Sequence, residues 1–229
     1  MALNHHPHED TLWAYATGNL DEASGVLVAT HLALCPACRR EVAALEATGG
    51  AMFESIDAAP MAGNAFEKLM ARVEAETGPR AANSNAKPIR TAPAVGGNSA
   101  TVLPRPLRDY VGGDLDAFAW RRMTAGVDYV DLPVNAEGRR ARLLRIAPGT
   151  RVPTHGHGGE EMTMVLAGGY SDASGSFARG DVQTADESTV HQPVADPGEP
   201  CICLTVTRGP LMPTGVLSIL TKLFPRLGA

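Results

Sequence analysis

The stretch from 78 to 104, GPRAANSNAKPIRTAPAVGGNSATVLP, has no acidic side chain, no aromatic ring and no hydrophobic period. Such a segment buries too little apolar surface to offset the entropy of ordering it, so it is expected to be a flexible linker. It sets the expected division of the chain, with hydrophobic interior on either side. With 229 residues, 44 % of them hydrophobic, the chain is long enough for one large or two modest cores. The expected division is a first domain over 1–77, the linker over 78–104 and a second domain over 105–229.

Charge changes across the same boundary. Residues 1–77 carry 4 basic and 11 acidic side chains, the linker 3 basic and none acidic, and residues 105–229 carry 13 and 14. An acidic first domain argues against nucleic-acid binding, which needs Lys and Arg gathered on one face. Met1 to Asp10 holds no basic segment followed by an apolar core, so no secretory leader is expected there. The longest apolar candidate, Pro210 to Thr221, is too short to span a bilayer and is interrupted by Pro213 and Gly215. The four cysteines form two tight pairs, Cys35 with Cys38 and Cys201 with Cys203, too close for structural disulfides within a regular fold, and the first spacing favours metal or redox chemistry. A cytoplasmic protein without membrane contact is expected.

Before the linker the apolar spacing is helical. Leu12, Tyr15 and Ala16 share a face, and Gly18-Asn19 ends that segment. A second helix starts near Asp21 and runs through Leu27, His31 and Leu34. Pro36 breaks it and suits the first turn of a third helix carrying Cys38, Val42 and Leu45. A fourth, Asn64 to Glu76, places Phe66, Leu69, Met70 and Val73 on one stripe. Four helices in 77 residues make a thin core that a metal ion would staple. After the linker the runs shorten to β type: 141–146, 162–167 and 201–206, each bounded by Gly or Pro, which argues a β-sandwich or barrel.

The chemistry lies in the histidines and cysteines. His31 and Cys35, four apart, lie one turn apart on one helix face, and Pro36 turns the chain so that Cys38 faces the same point. Three such ligands leave tetrahedral zinc one short, and the N-terminal His5, His6 and His8 offer the fourth. The competing interpretation is a buried pair of small residues or a metal-free dithiol. The His-Pro start, Leu12, Tyr15, Gly18, Leu20 and the His31/Cys35/Cys38 spacing resemble the zinc-binding anti-sigma domain. That resemblance implies an all-α fold that holds a sigma factor, and it selects His6, just before Pro7, as the fourth ligand.

A second constellation follows the linker. His155 and His157, two apart, project from one face of a strand. Gly158-Gly159 permits a turn that brings Glu161 to the same centre, and His191, eleven residues after Gly180, supplies a third imidazole. Three His and one carboxylate suit zinc, manganese or ferrous iron. From Gly149 to Gly168 the spacing resembles the first cupin motif, which implies an all-β double-stranded β-helix (jelly roll). In the second motif Gly180 and His191 stand, but Asp186, Ser188 and Ala195 replace the Pro, Gly and Asn of that family. Cys201 and Cys203 point both sulfurs to one face of a strand, either as inert core or as a redox pair.

Together these features make the chain similar to the ChrR-type zinc-dependent anti-sigma factors over nearly its whole length. The resemblance implies that it inhibits a cytoplasmic sigma factor of the extracytoplasmic-function type in a one-to-one heterodimer. Zinc would sit in the first domain, and zinc, or less readily manganese or iron, in the cupin. The Phe66, Leu69, Met70 and Val73 stripe is then either core or partner surface. Release would follow an oxidative signal, singlet oxygen or an organic peroxide, acting through the cupin. The alternative is a dioxygenase-like cupin metalloenzyme with an accessory zinc domain, against which stands the lack of an additional acid/base pair. A zinc-finger DNA binder conflicts with the acidity.

Overall fold

Each of the first helices begins where a side chain answers its free N–H groups. A computed structural model describes residues 3–77, 101–134 and 138–213. In it α1 (Glu9–Ala16) starts at His8, whose Nδ1 accepts the Asp10 N–H at 3.3 Å. Asp21 caps α2 (Glu22–Leu34), accepting the Ser24 N–H at 3.0 Å. That helix stops at Cys35, because the residue before a proline is pushed out of the helical region, and Pro36 opens α3 (Pro36–Glu54). The fourth helix is α4 (Ala65–Thr77). These are the four helices the apolar spacing predicts.

One further helix stands where only β structure is expected. It is α5 (Arg105–Val111), with Pro106 in its first turn and Gly112 closing it at φ +79°. The strands follow. They are β1 (Arg121–Thr124), β2 (Val127–Asp131), β3 (Arg139–Ile146), β4 (His155–His157), β5 (Glu161–Ala167) and β6 (Gly169–Asp172). Then come β7 (Gly175–Ala178), β8 (Val182–Ala185), β9 (Val190–His191), β10 (Val194–Ala195), β11 (Cys201–Arg208) and β12 (Leu211–Pro213). A six-stranded antiparallel sheet in the order β1-β2-β3-β11-β5-β8 packs with two three-stranded sheets, β10-β6-β7 and β12-β4-β9. The result is an antiparallel β-sandwich behind a helical N-terminal region.

Strand β11 shows how the layers are filled. Its first six residues are all buried, because both faces of the sheet are covered. Cys201 and Cys203 face the interior of the sandwich with Val165, Tyr170 and Phe177. Ile202, Leu204 and Val206 face the other way, onto a cluster that holds Leu103, Leu107, Leu143, Met162 and Met164.

That second cluster also contains Ala23 and Leu27 of α2. The interiors on either side of the linker are therefore joined: α2 belongs to both units. Its opposite face, through Val28, packs with Leu12, Cys35, Cys38 and Val42. The reason is in its sequence, EASGVLVATHLAL, which is apolar around most of its circumference, and a helix of that kind is buried on all sides. Helices α1 and α3 cover one side, and the sheet covers the other. Full burial of Leu27 alone is worth roughly 1.5–3 kcal/mol.

Of the expected linker, residues 78–100 lie outside the described residues. Its end, 101–104, is described, and Leu103 is 2 % exposed in the shared core. Polar contacts reinforce the docking. Arg139 of β3 contacts Asp21 at 2.7 Å and Glu160 at 3.2 Å, and Tyr110 of α5 donates to Glu22 at 2.7 Å. By contrast, no described side chain of α4 joins any of the buried clusters. No helix among the described residues is long and apolar enough to cross a membrane.

Candidate metal centres

The first centre is built at the corner between α2 and α3. His31, Cys35 and Cys38 are buried there and His6 closes the open side, with their candidate ligand atoms all within 4.8 Å of one another. His6 Nδ1 lies 3.4 Å from Cys35 Sγ and 3.3 Å from Cys38 Sγ, and His31 Nε2 lies 3.3 Å from Cys38 Sγ. The other ring nitrogen of His31 faces the Gly180 carbonyl at 2.8 Å. A carbonyl can only accept, so Nδ1 carries the proton and Nε2 offers its lone pair to the centre. Burial holds His31 below its ordinary value, in the neutral form a metal ligand needs. Burial and the neighbouring Cys35 push the Cys38 thiol up to about 12. Two adjacent buried sulfurs become thiolates together only with a cation between them. The donor set, two sulfurs and two imidazoles, fits tetrahedral zinc. A groove of about 470 Å³ lined by His6, Glu9, Cys38 and Glu41 opens beside it.

The second centre lies inside the sandwich. His155 and His157 come from β4, Glu161 from the start of β5 and His191 from β9, again with all ligand atoms within 4.8 Å. The register explains the convergence, since β9 pairs with β4 so that His191 sits opposite His155. Each ring has its Nδ1 on an acceptor: Pro153 O at 2.9 Å, Thr189 O at 3.1 Å and Asp172 Oδ2 at 2.8 Å. All three Nε2 lone pairs therefore point inward. His157 Nε2 is buried with no hydrogen-bond partner, and His155 Nε2 and His191 Nε2 oppose each other at 3.1 Å. Such a set of unanswered lone pairs beside a carboxylate fits a divalent cation. Burial lowers His155, while Glu161, whose Oε1 lies 3.6 Å from His157 Nε2, raises His157.

The eight predicted ligand positions thus converge in two groups of four. Glu160 is not part of either, because it is drawn to Arg139. Asp186 and Ser188, which depart from the cupin pattern, form a turn of their own: Asp186 Oδ1 accepts from the Ser188 N–H at 3.0 Å and from the Thr189 hydroxyl at 2.9 Å. The Ser188 hydroxyl, which donates to the same oxygen at 2.6 Å, together with these bonds holds the Asp186 carboxyl below its ordinary range. Cys201 and Cys203 do share a face, with sulfurs 3.4 Å apart, and both are buried. Their mutual hydrogen bond and burial push the Cys203 thiol well up. Phe66, Leu69, Met70 and Val73 of α4 are 70, 55, 40 and 43 % exposed, and Met52, Phe53, Ile56 and Met61 before them are exposed too.

Sequence reasoning missed Asp172. Its side chain is fully buried; burial alone would raise its carboxyl, but hydrogen bonds from Gln183, Ser174 and His191 outweigh that and hold it down at about 2. It orients His191 as a carboxylate behind a metal-bound imidazole does. Nothing in local spacing marks it.

Comparison with known proteins places this geometry. A model described as the ChrR Cupin-like domain matches residues 109–211, and a zinc-finger model matches residues 9–39. The chain is 38 % identical over 227 residues to the Anti-sigma-E factor ChrR of Cereibacter sphaeroides, covering 99 % of this chain and 100 % of that protein. The crystal structure of Rhodobacter sphaeroides SigE in complex with the anti-sigma ChrR superposes with a TM-score of 0.71 at 37 % identity, over 89 % of this chain and 98 % of that one. With helical and cupin units matched in one continuous alignment, this chain belongs to the ChrR family of anti-sigma factors.

Proposed function

We propose that this protein is a cytoplasmic, non-enzymatic anti-sigma factor that forms a one-to-one complex with a sigma factor of the extracytoplasmic-function type and covers the surfaces that sigma presents to RNA polymerase. The observation that carries this reading is the exposed apolar stripe of α4, Phe66, Leu69, Met70 and Val73, which follows in sequence the helices that gather His6, His31, Cys35 and Cys38. Four large apolar side chains on one short exposed helix are the mark of a surface that another protein covers. The acidity of residues 1–77 supports it, since a sigma factor must itself present a basic face to DNA. The relatives, an anti-sigma factor and a complex of such a factor with SigE, point the same way.

In this reading His6, His31, Cys35 and Cys38 hold zinc, which fixes the α2–α3 corner and the N-terminal segment in one geometry. His155, His157, Glu161 and His191 hold a second ion, zinc or less readily manganese or iron. That centre is where an oxidative signal, singlet oxygen or an organic peroxide, acts to release sigma, with the Cys201/Cys203 pair as a further redox candidate. Run-off transcription by the sigma-loaded polymerase tests the first half. Wild-type protein is expected to silence it, and Cys35→Ala to lose both one bound zinc and the inhibition. Retained zinc and retained silencing in Cys35→Ala would remove the reading. Replacing His157 by Ala is expected to leave inhibition intact and abolish the response to oxidant.

A further inference from the structure

The two imidazoles of the first centre are held by the cupin, whereas its two sulfurs are held by the helices. Cys35 caps α3, with its sulfur 3.4 Å from the Cys38 N–H, so both thiols are fixed by the α2–α3 corner itself. His31, though on α2, donates from Nδ1 to the carbonyl of Gly180 in the turn between β7 and β8. His6 follows a segment clasped by the same turn. Asp181 Oδ1 accepts the N–H groups of Asn4 at 2.9 Å and His5 at 3.1 Å, and the His5 carbonyl accepts from the Val182 N–H at 3.1 Å. The His5 ring lies 4.4 Å from that of Phe177, and Leu3 sits over Gly180, where an added Cβ would come within 2.6 Å of it. The clasp is preformed: Asp181 is 2 % exposed and its second oxygen accepts the Ala178 N–H at 3.0 Å.

The same turn is anchored to the strand that carries a ligand of the second centre. Gly180 N–H donates to Val165 O at 2.8 Å, and Val165 N–H to Asp181 O at 3.0 Å, on the β5 strand that begins with Glu161. From these contacts we infer that the Ala178–Asp181 turn is the outer coordination shell of the His6/His31/Cys35/Cys38 centre, with Asp181 as its positioning residue, so that the metal grip of the sigma-binding unit depends on the conformation of the cupin. This rests on the four-ligand reading of the first centre. It gives the cupin a direct contact route to the helices, through the N-terminal segment.

Cobalt titration of the full-length protein tests it. Only the first centre contains sulfur, so a thiolate-to-cobalt charge-transfer band reports that centre alone, while total cobalt content reports both. In chelator competition, Asp181→Ala is expected to weaken cobalt at the thiolate centre about 10–100-fold, the usual effect of losing an outer-shell partner. Asn4→Pro, which removes one donated N–H without touching any cupin residue, is expected to weaken it in the same direction with the second ion retained. Wild-type affinity at the thiolate centre in both variants overturns the inference. If Asp181→Ala loses both ions through misfolding, Asn4→Pro decides alone. A wild-type protein with no charge-transfer band would instead overturn the four-ligand reading itself.

Discussion

At the scale of single residues, the two centres differ in what surrounds their ligands. In the sandwich every imidazole is oriented by an acceptor on its far nitrogen, and for His191 that acceptor is a buried carboxylate, Asp172, at 2.8 Å. A carboxylate behind a metal-bound imidazole fixes ring orientation and raises ligand basicity. Asp172→Asn keeps the shape and removes the charge. It is expected to weaken metal at the second centre roughly 10–100-fold while the thiolate centre keeps its affinity. Metal analysis after equilibrium dialysis against graded chelator checks this, and equal loss at both centres would show a general folding defect instead. The Tyr170 hydroxyl donates to Gln183, which in turn donates to Asp172, so this carboxylate is the hub of a connected polar network and not an isolated pair.

Among the elements, α2 decides the architecture. It supplies His31 to the first centre, Val28 to the helical interior, and Ala23 and Leu27 to the core beneath the sheet. Leu27→Ala is expected to cost about 2–5 kcal/mol in chemical denaturation, as for other fully buried leucines. The helix is also tied at its start, where Glu22 accepts from Tyr110 of α5. Burial, the hydrogen bond to Glu22 and the negative charge of Glu22 push the Tyr110 phenol up to about 12, from an ordinary value near 10. A raised value in the folded state means that the neutral phenol stabilises the fold. The contribution is whole below about pH 10 and is lost as pH climbs to about 12. Tyr110→Phe is therefore expected to show a shallower fall in melting temperature across that window than wild type. Parallel curves would exclude this tie as a source of alkaline sensitivity.

For the whole molecule, the shared core makes the helices around the first centre and the sandwich one cooperative body. Calorimetry of the full chain is expected to give a single transition with matching calorimetric and van't Hoff enthalpies. Two resolved transitions would show that α2 docks too weakly to couple the units. Phe66 and Leu69 of α4 are exposed and lie outside the clusters of that body, so replacing them is expected to leave the transition unchanged. Substituting Phe66 and Leu69 by Ser then separates partner binding from folding, with sigma affinity measured by titration as the readout.

Much of this was legible in the chain. A spacing of four on a helix, a proline that forces a corner and a spacing of two on a strand each fix where a side chain points, so the positions of His31, Cys35, Cys38, His155 and His157 follow from local geometry. The β-type run 201–206 likewise reveals a strand, whose period of two puts Cys201 and Cys203 on one face. Other features were not legible. A period says that a face is buried but not against what, so α2 could be read as a helix without showing that the sheet is its second neighbour. Asp172 reaches His191 across 19 residues, and Asp181 reaches Asn4 across 177, and no local spacing encodes such pairs. The resemblance selects His6, but the physical reason lies in the fold: His5 is taken by Phe177 and the backbone of β8, His8 caps α1, and of the three N-terminal histidines only His6 faces the sulfurs. Local stereochemistry, set by residues a few positions apart, determined the helices and strands and the five ligands that lie on them; contacts between distant segments, which exist only once the chain has closed on itself, decided the remaining ligands and how the two centres are oriented and joined.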